Sequence, residues 1–336
     1  YMNIAIVTDK PRIKYLPTEE GMLEDRQKKK TVEELKKVLA KKYDCINLTL
    51  DDNIISRLKS ENVDLVFNLC NGIRGESSIA QLPAILEYAG IPYTSSAPFG
   101  HALAYNKIYA CKVFQQSKIP TPNFTYVYKM GDLKDLNINY PILIKPNEEG
   151  SSRGINEDSL VYDKKSLEQK VKEELNTYKP PIMLTEYIEG REFTVGVLGN
   201  GDNINVLPIL EIDFSNIPDR LSKFYSFEVK SHYGDKTVYH VPARLDHKTK
   251  KAIEETAINA YKALMMRDYA RVDIRLKNGI PYVIEINSLP GLKREHSDIS
   301  KMAEASDLGY DGLILKIVEN AVDRYGLEEN MEYKSI

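Results

Sequence analysis

Cysteine is scarce in this sequence. The three that occur, Cys45, Cys70 and Cys111, are odd in number and lack the paired spacing of a zinc or redox motif, so neither a disulfide framework nor a zinc site is expected. They read as buried, reduced thiols in a cytoplasmic protein. An excess of charge of either sign is also missing. With 46 basic and 49 acidic residues the net charge is -3, which leaves no strongly basic face of the kind that neutralises nucleic-acid phosphates. Long hydrophobic runs are absent too, and nothing approaches a membrane span. The opening Asn3-Ile4-Ala5-Ile6-Val7 is too short for the apolar core of a signal peptide and follows no charged segment. Neither a nucleic-acid nor a membrane partner is therefore expected. No internal repeat or low-complexity tract is visible. What is present is ordinary for a soluble globular protein: 42% hydrophobic and 28% charged residues over 336 positions, too many for one compact core, which implies two or three domains.

The first stretch alternates strand and helix: strands at 4–7, 45–50 and 65–68, helices near 31–39, 52–59 and 79–88. That alternation implies a parallel sheet with helices on its faces, and ligands then gather beyond the carboxyl ends of the strands. The loop from Asn68 through Cys70, Asn71, Gly72 and Gly75 to Glu76 leaves such a strand end, and it is either a substrate loop or a plain glycine-rich connector. Ile119-Pro120-Thr121-Pro122 marks a boundary where helix cannot continue. A mixed α+β section follows, with a short strand at 142–146 between prolines, a helix near 165–175 and strands at 182–188 and 193–198. Helices near 248–265 and 310–325 flank a hairpin at the carboxyl end.

That hairpin carries the strongest chemical signal. Arg271-Val272-Asp273 lies on its first strand and Glu285-Ile286-Asn287 on its second, closed by Lys277-Asn278-Gly279. A three-residue turn with Gly279 left-handed sets Arg271 opposite Glu285 and Asp273 opposite Val283. Strand period two then puts Arg271, Asp273, Glu285 and Asn287 on one face, as a magnesium site requires, and Val272, Ile274, Ile284 and Ile286 on the other, as a core requires. A two-residue Asn-Gly turn splits the carboxylates between faces. The bland alternative is a surface hairpin with its charges in water. Asn287 leads directly into Ser288-Leu289-Pro290-Gly291, a loop poised to touch a ligand. Upstream, Glu149-Gly150-Ser151-Ser152-Arg153-Gly154 offers glycines, hydroxyls and backbone N–H groups that can wrap an oxyanion, although a flexible surface turn has the same composition. It is not a Walker loop. Lys145 emerges from an apolar strand and Lys107 follows Asn106 at the mouth of a helix. Both are candidate phosphate ligands, and both have solvation as the plain alternative.

In order and spacing these motifs resemble the ATP-grasp enzymes, and within them the D-alanine-D-alanine ligase branch. The similarity runs from about residue 68 to residue 325 through seven motifs: 68–76, Gly90-Ile91-Pro92-Tyr93-Thr94, Asn106-Lys107, Ile144-Lys145-Pro146 with Glu149-Gly150-Ser151-Ser152, Glu192-Phe193-Thr194-Val195, Arg271-Val272-Asp273, and Glu285-Ile286-Asn287 with Pro290-Gly291. The resemblance implies a three-domain ATP-grasp fold of the α/β (α+β) class. Residues 1–95 form a parallel-sheet domain that contributes to the substrate site, 96–187 a central subdomain and 188–336 a carboxyl-terminal subdomain with the metal site. It implies an ATP-dependent carboxylate-amine ligase of peptidoglycan biosynthesis with D-alanine as the leading substrate, cytoplasmic and in relatives commonly dimeric. By the same resemblance Lys107 and Lys145 bind ATP phosphates under the loop of Gly150, Ser151 and Ser152. Glu186, Tyr187 and Ile188 hold the adenine, Glu192 takes the ribose, and Lys230 belongs to a mobile loop over the nucleotide. Asp273, Glu285 and Asn287 coordinate two magnesium ions, with manganese as a substitute. Arg271 and the N–H of Gly291 stabilise the tetrahedral oxyanion, Ser151 positions substrate, and Glu76, Ser231, His232 and Ser297 line the substrate sites.

The sequence departs from that pattern in places. The strand after residue 7 runs into Thr8-Asp9-Lys10-Pro11-Arg12 instead of a Gly-Gly-x-Ser segment with its glutamate, leaving Asp9 or Glu24 to orient the first substrate. Asn71 replaces a histidine, and Ser231 stands where strict D-alanyl-D-alanine formers carry tyrosine. His232 beside it either tunes the second nucleophile between amine and hydroxyl or is inert. Asp298, next to Ser297, repels a substrate carboxylate unless it is turned away. Ligation of other amino acids or a peptide is the nearest alternative. A nucleotide-binding regulatory protein without catalysis is the alternative of another class.

Overall fold

A computed structural model describes residues 2–14, 19–148, 155–218, 221, 224, 226, 229 and 236–327, without the side chains of residues 19 and 20. Strands β1 (Asn3–Thr8), β2 (Asp44–Thr49) and β3 (Leu65–Asn68) pair in parallel in the order β2-β1-β3. Because β1 is central it is apolar on both sides. Ile4 and Ile6 pack with Val32, Leu35 and Leu39 of helix α1 (Glu19–Leu39), while Ala5 and Val7 pack with Leu58 of α2 (Ile54–Ser60) and Leu82 and Leu86 of α3 (Gln81–Ala89). Helix α1 starts twelve residues before the expected position. Its first turns are mostly charged, and its apolar Met22 and Leu23 are exposed, so the core-facing stripe that betrays a helix begins only at Val32.

Helices α4 (Pro98–Tyr105) and α5 (Lys107–Gln116) lead to an antiparallel sheet of β4 (Phe124–Val127), β7 (Ile182–Glu186), β5 (Ile142–Pro146) and β6 (Leu160–Val161), in the order β4-β7-β5-β6. Helix α6 (Lys164–Thr177) covers it through Leu167 and Val171, which meet Ile142, Ile144, Ile182 and Leu184.

The largest sheet is antiparallel and runs β11-β10-β8-β12-β13 through β8 (Arg191–Asn200), β10 (Leu210–Asp213), β11 (Val238–His240), β12 (Tyr269–Lys277) and β13 (Ile280–Asn287), with β9 (Asn203–Val206) also pairing β8. One face buries Phe193, Val195, Val272, Ile274, Val283 and Ile286 against α5 and against Ile253, Ala257 and Tyr261 of α7 (His247–Ala263). The opposite face is polar at its centre. At its end it packs α8 (Asp298–Glu304) and α9 (Gly309–Tyr325), through Ile299, Met302 and Ile314.

The hairpin corrects the expected register. Its turn has two residues, Asn278 and Gly279, both at positive φ (52° and 76°), and Lys277 faces Ile280. Arg271 faces Asn287 and Asp273 faces Glu285, not Glu285 and Val283. The carboxylates nevertheless share a face, because the register shifts between Asp273 and Ile274 and leaves Ile284 without a partner in the ladder. Ile284 is therefore the bulged residue, and Val283 takes the buried place expected for it.

Candidate active site

The polar face of the large sheet is a cross-strand mosaic. Neighbours in register are Arg271 with Gly196 and Asn287, Asp273 with Thr194 and Glu285, and Arg275 with Glu192. Arg271 grips Asp273 with two parallel bonds, Nε to Oδ1 at 2.9 Å and Nη2 to Oδ2 at 2.8 Å. Thr194 Oγ1 donates to Asp273 Oδ1 at 2.7 Å, and Asn287 Nδ2 reaches Asp273 Oδ2 at 3.1 Å and Glu285 Oε1 at 3.5 Å. Burial pushes the Asp273 carboxyl up, against the opposing pull of Arg271. Burial works the same way on Glu285, but Lys107, Lys145 and Arg271 outweigh it and hold its carboxyl below the usual range.

Both expected lysines converge on this face from other elements. Lys107 and Lys145 are buried, at 7% and 4% exposure, and Lys107 Nζ stands 4.0 Å from Glu285 Oε2. Local structure explains their placement. Asn106 caps α5 by accepting from the N–H of Tyr109 at 3.1 Å, and Asn147, just past β5, accepts from the N–H of Ile108 at 3.0 Å, so the two lysines are anchored to each other's loops. Two buried ammonium groups beside a carboxylate pair have the charges to hold a polyanion with a cation between.

Among the described residues no group of three or more His, Cys, Asp or Glu side chains stands at metal-ligating spacing. The donors here are two carboxylates and one carboxamide, all hard oxygen ligands suited to magnesium. Asn287 directs its nitrogen at the carboxylates, so holding a cation would require its amide to rotate and present oxygen.

Farther along the face, Arg275 Nη2 donates to Glu192 Oε2 at 2.5 Å, while its Nη1 bonds Tyr187 Oη at 2.9 Å and the Ile188 carbonyl at 3.1 Å. Arg275 thus gathers three residues expected at the nucleotide, Glu192, Tyr187 and Ile188. Nothing in the sequence singled it out, because its partners lie across the ladder and in the loop after β7. Glu186 is turned elsewhere: its Oε1 accepts from Asn139 N and Nδ2 at 2.9 and 2.8 Å, so only its backbone remains close to Tyr187.

Gly291 and Ser297 are brought together: a Cβ on Gly291 would stand 3.0 Å from Ser297 Oγ, which also accepts from the N–H of Lys293 at 2.9 Å. Asp298 is not turned away. Its Oδ2 lies 3.7 Å from Arg271 Nη1 and its Oδ1 3.7 Å from Lys301 Nζ, whose ammonium burial pushes down. Glu76 pairs with Lys179 on the surface, apart from this cluster. Asp9 accepts from the N–H groups of Asn71 and Gly72 at 2.9 and 3.1 Å and lies 3.5 Å from Lys28, and Glu24 lies 3.3 Å from Arg12, so both candidates for the first substrate's amine are already engaged. Gly150, Ser151, Ser152, Lys230, Ser231 and His232 lie outside the described residues.

A second residue the sequence did not reveal is His101. Wholly buried, it bridges Ser95 Oγ at 2.9 Å and Ser288 Oγ at 2.7 Å, and Asn68 Nδ2 reaches the same Ser95 hydroxyl at 3.2 Å. This relay ties the carboxyl end of β3 to the residue after Asn287. It brings the carboxyl edge of the parallel sheet against the carboxylate face.

A family model described as the D-ala D-ala ligase C-terminus matches residues 113–319. An uncharacterized protein, y4sG of Sinorhizobium fredii, is 35% identical over 78% of this chain and 75% of its own length. A D-alanine–D-alanine ligase of Fervidobacterium nodosum is 33% identical over 82% of this chain and 87% of its own. Among solved structures, D-alanine–D-alanine ligase from Bacillus anthracis complexed with ATP superposes with a TM-score of 0.74 at 25% identity, covering 98% of this chain and all of that one. The VanG D-Ala:D-Ser ligase of Enterococcus faecalis shares the fold, with a TM-score of 0.73 at 24% identity over 96% of this chain and 99% of that one.

Proposed function

Because this chain belongs to the D-alanine–D-alanine ligase family, we propose that it is an ATP-dependent ligase that joins two amino acids through an acyl phosphate, D-alanine in both positions. The observation that carries this reading is the convergence of Lys107 on Glu285, at 4.0 Å, over a face that also holds Asp273, Asn287 and Arg271. A carboxylate is a poor electrophile until phosphorylated, and bringing it to an anionic phosphate donor requires opposing positive charge. Lys107 and Lys145 supply that charge at the phosphates. Arg275 fixes Glu192 and Tyr187 beside the nucleoside, Glu192 meeting the ribose. Asp273, Glu285 and Asn287 would hold two magnesium ions, whose charge would neutralise the phosphates.

Arg271 is the group that answers charge developing on the acyl oxygen, with the N–H of Gly291 as its partner donor. Its grip on Asp273 fixes the guanidinium before reaction, so no reorganisation is needed when the oxyanion forms. Ser297, against Gly291, holds the acceptor's carboxylate. The three sheets support a division at residues 1–95, 96–187 and 188–336. No helix among the described residues is long and apolar enough to cross a membrane, and a cytoplasmic homodimer is the assembly we propose.

One observation favours a second reading within the same chemistry. Asp9 and Glu24 are both committed to protein partners, which suits a first substrate other than D-alanine. Phosphate release and product mass, measured with each D- and L-amino acid, test both. D-alanine alone releasing phosphate with a dipeptide product supports the first. A product containing another residue supports the second, and ATP binding without phosphate release under any amino acid rejects both.

A further inference from the structure

We propose that Asp298 is a catalytic residue: its carboxylate binds the acceptor's amine and takes the proton that nitrogen must lose as the new amide forms. The inference rests on the ligase reading above and adds the base that reading lacks.

Four observations place Asp298 at the reacting centre. Its Oδ2 lies 3.7 Å from Arg271 Nη1, the guanidinium aimed at the oxyanion. Its neighbour Ser297 has its hydroxyl 3.0 Å from where a Cβ on Gly291 would stand, so the residue next to Asp298 abuts the second oxyanion donor. The approach is built in. Gly196 is the register partner of Arg271, and a Cβ there would stand 2.9 Å from Leu207 Cδ1 and 3.1 Å from Ile299 Cγ1, so the missing side chain is what lets α8 lie close to β8. Finally, Arg271 and Lys301 both stand at 3.7 Å, ion-pair separation and not hydrogen-bond contact, which leaves the carboxylate oxygens able to accept from a ligand.

The chemistry balances. The acceptor's ammonium docks against Asp298 and sheds one proton to solvent, exposing its lone pair. That pair forms the C–N bond while the carbonyl π electrons withdraw to oxygen, giving the oxyanion between Arg271 and Gly291. The nitrogen, now cationic and acidic, gives its next proton to Asp298. Collapse re-forms C=O and breaks the bond to phosphate, whose oxygen leaves with the electron pair and takes the proton from Asp298. An amino-acid zwitterion fits the neighbourhood, since Lys301, one turn along α8, presents the cation for its carboxylate. Positioned base catalysis of this kind is worth about 10²- to 10⁴-fold.

The test separates the base from the scaffold. Full-length protein and its Asp298→Asn and Asp298→Glu variants are given ATP, magnesium and D-alanine, with and without hydroxylamine, a nucleophile that needs no base to trap an acyl phosphate. Asp298→Asn should lose dipeptide formation by about 100-fold or more while hydroxamate forms at the parent rate, and Asp298→Glu should recover part of the dipeptide. Equal loss of both products would reduce Asp298 to a structural role, and loss of neither would remove it from the reaction. Parent protein that makes neither product overturns the D-alanine ligase reading on which the proposal rests, a failure distinct from the other two.

Discussion

At the scale of single residues the account rests on Asp273 and Glu285. Exchanging either for its amide keeps shape and removes charge, so Asp273→Asn or Glu285→Gln should cut magnesium-dependent ATP turnover by at least about 100-fold. Turnover assayed across a magnesium series checks this. His101 gives a stability prediction with a definite sign. Burial pushes its pKa down from the ordinary 6.5 to about 3, so the native state stays neutral where the unfolded chain binds a proton. Stability contributed by the neutral ring is complete above pH 6.5 and should fall by roughly 1 kcal/mol per pH unit as the pH drops below it. Denaturant midpoints at pH 7 and pH 5 should therefore differ less in His101→Gln than in the parent. Carboxylates bracketed by apolar strand residues announce themselves in a sequence. A histidine between two serines from distant segments does not, since Ser95 and Ser288 become neighbours only when the fold closes.

At the scale of elements, strands and helices were legible wherever apolar periodicity was strong, as in β1, α7 and α9. The hairpin shows the limit. Reading the two-residue turn by itself would have separated Asp273 from Glu285; the bulge at Ile284 reunites them, and nothing local in Val283-Ile284-Glu285 marks which residue bulges. Only the demand that both carboxylates reach one site distinguishes the registers. The start of α1 was hidden for a different reason, since its charged first turns lie over the polar loops at residues 9 and 12, where Lys28 meets Asp9. The contact of α8 with β8 yields a prediction of its own. A methyl group at position 196 meets Leu207 and Ile299, so Gly196→Ala should push α8 outward and lower kcat/KM by about tenfold or more, with ATP binding retained. Steady-state kinetics beside nucleotide titration would show that split.

At the scale of the whole molecule, one buried joint links the parallel sheet to the carboxyl-terminal elements. Asp268, fully buried, accepts from the N–H of Ser95 at 2.8 Å, from Asn200 Nδ2 at 2.9 Å and from Arg324 Nε and Nη2 at 3.1 and 2.8 Å. Arg324 also donates to the Tyr93 carbonyl at 2.8 Å, so α9 is tied to the segment at residues 93–95 both directly and through the Asp268 carboxylate. Asp268→Asn leaves that guanidinium without its counter-charge and should cost about 3 kcal/mol of unfolding free energy, read from chemical denaturation. Such a joint holds the relay from Asn68 to Ser288 in register with the carboxylate face, which is how elements so far apart in sequence make one site. The most direct test of the D-alanine ligase account follows product and phosphate together, with ATP, magnesium and D-alanine supplied. It predicts one D-alanyl-D-alanine for each phosphate released, and no phosphate without the amino acid. Phosphate released at the same rate with D-alanine left out, or nucleotide bound and never turned over with it present, would contradict it.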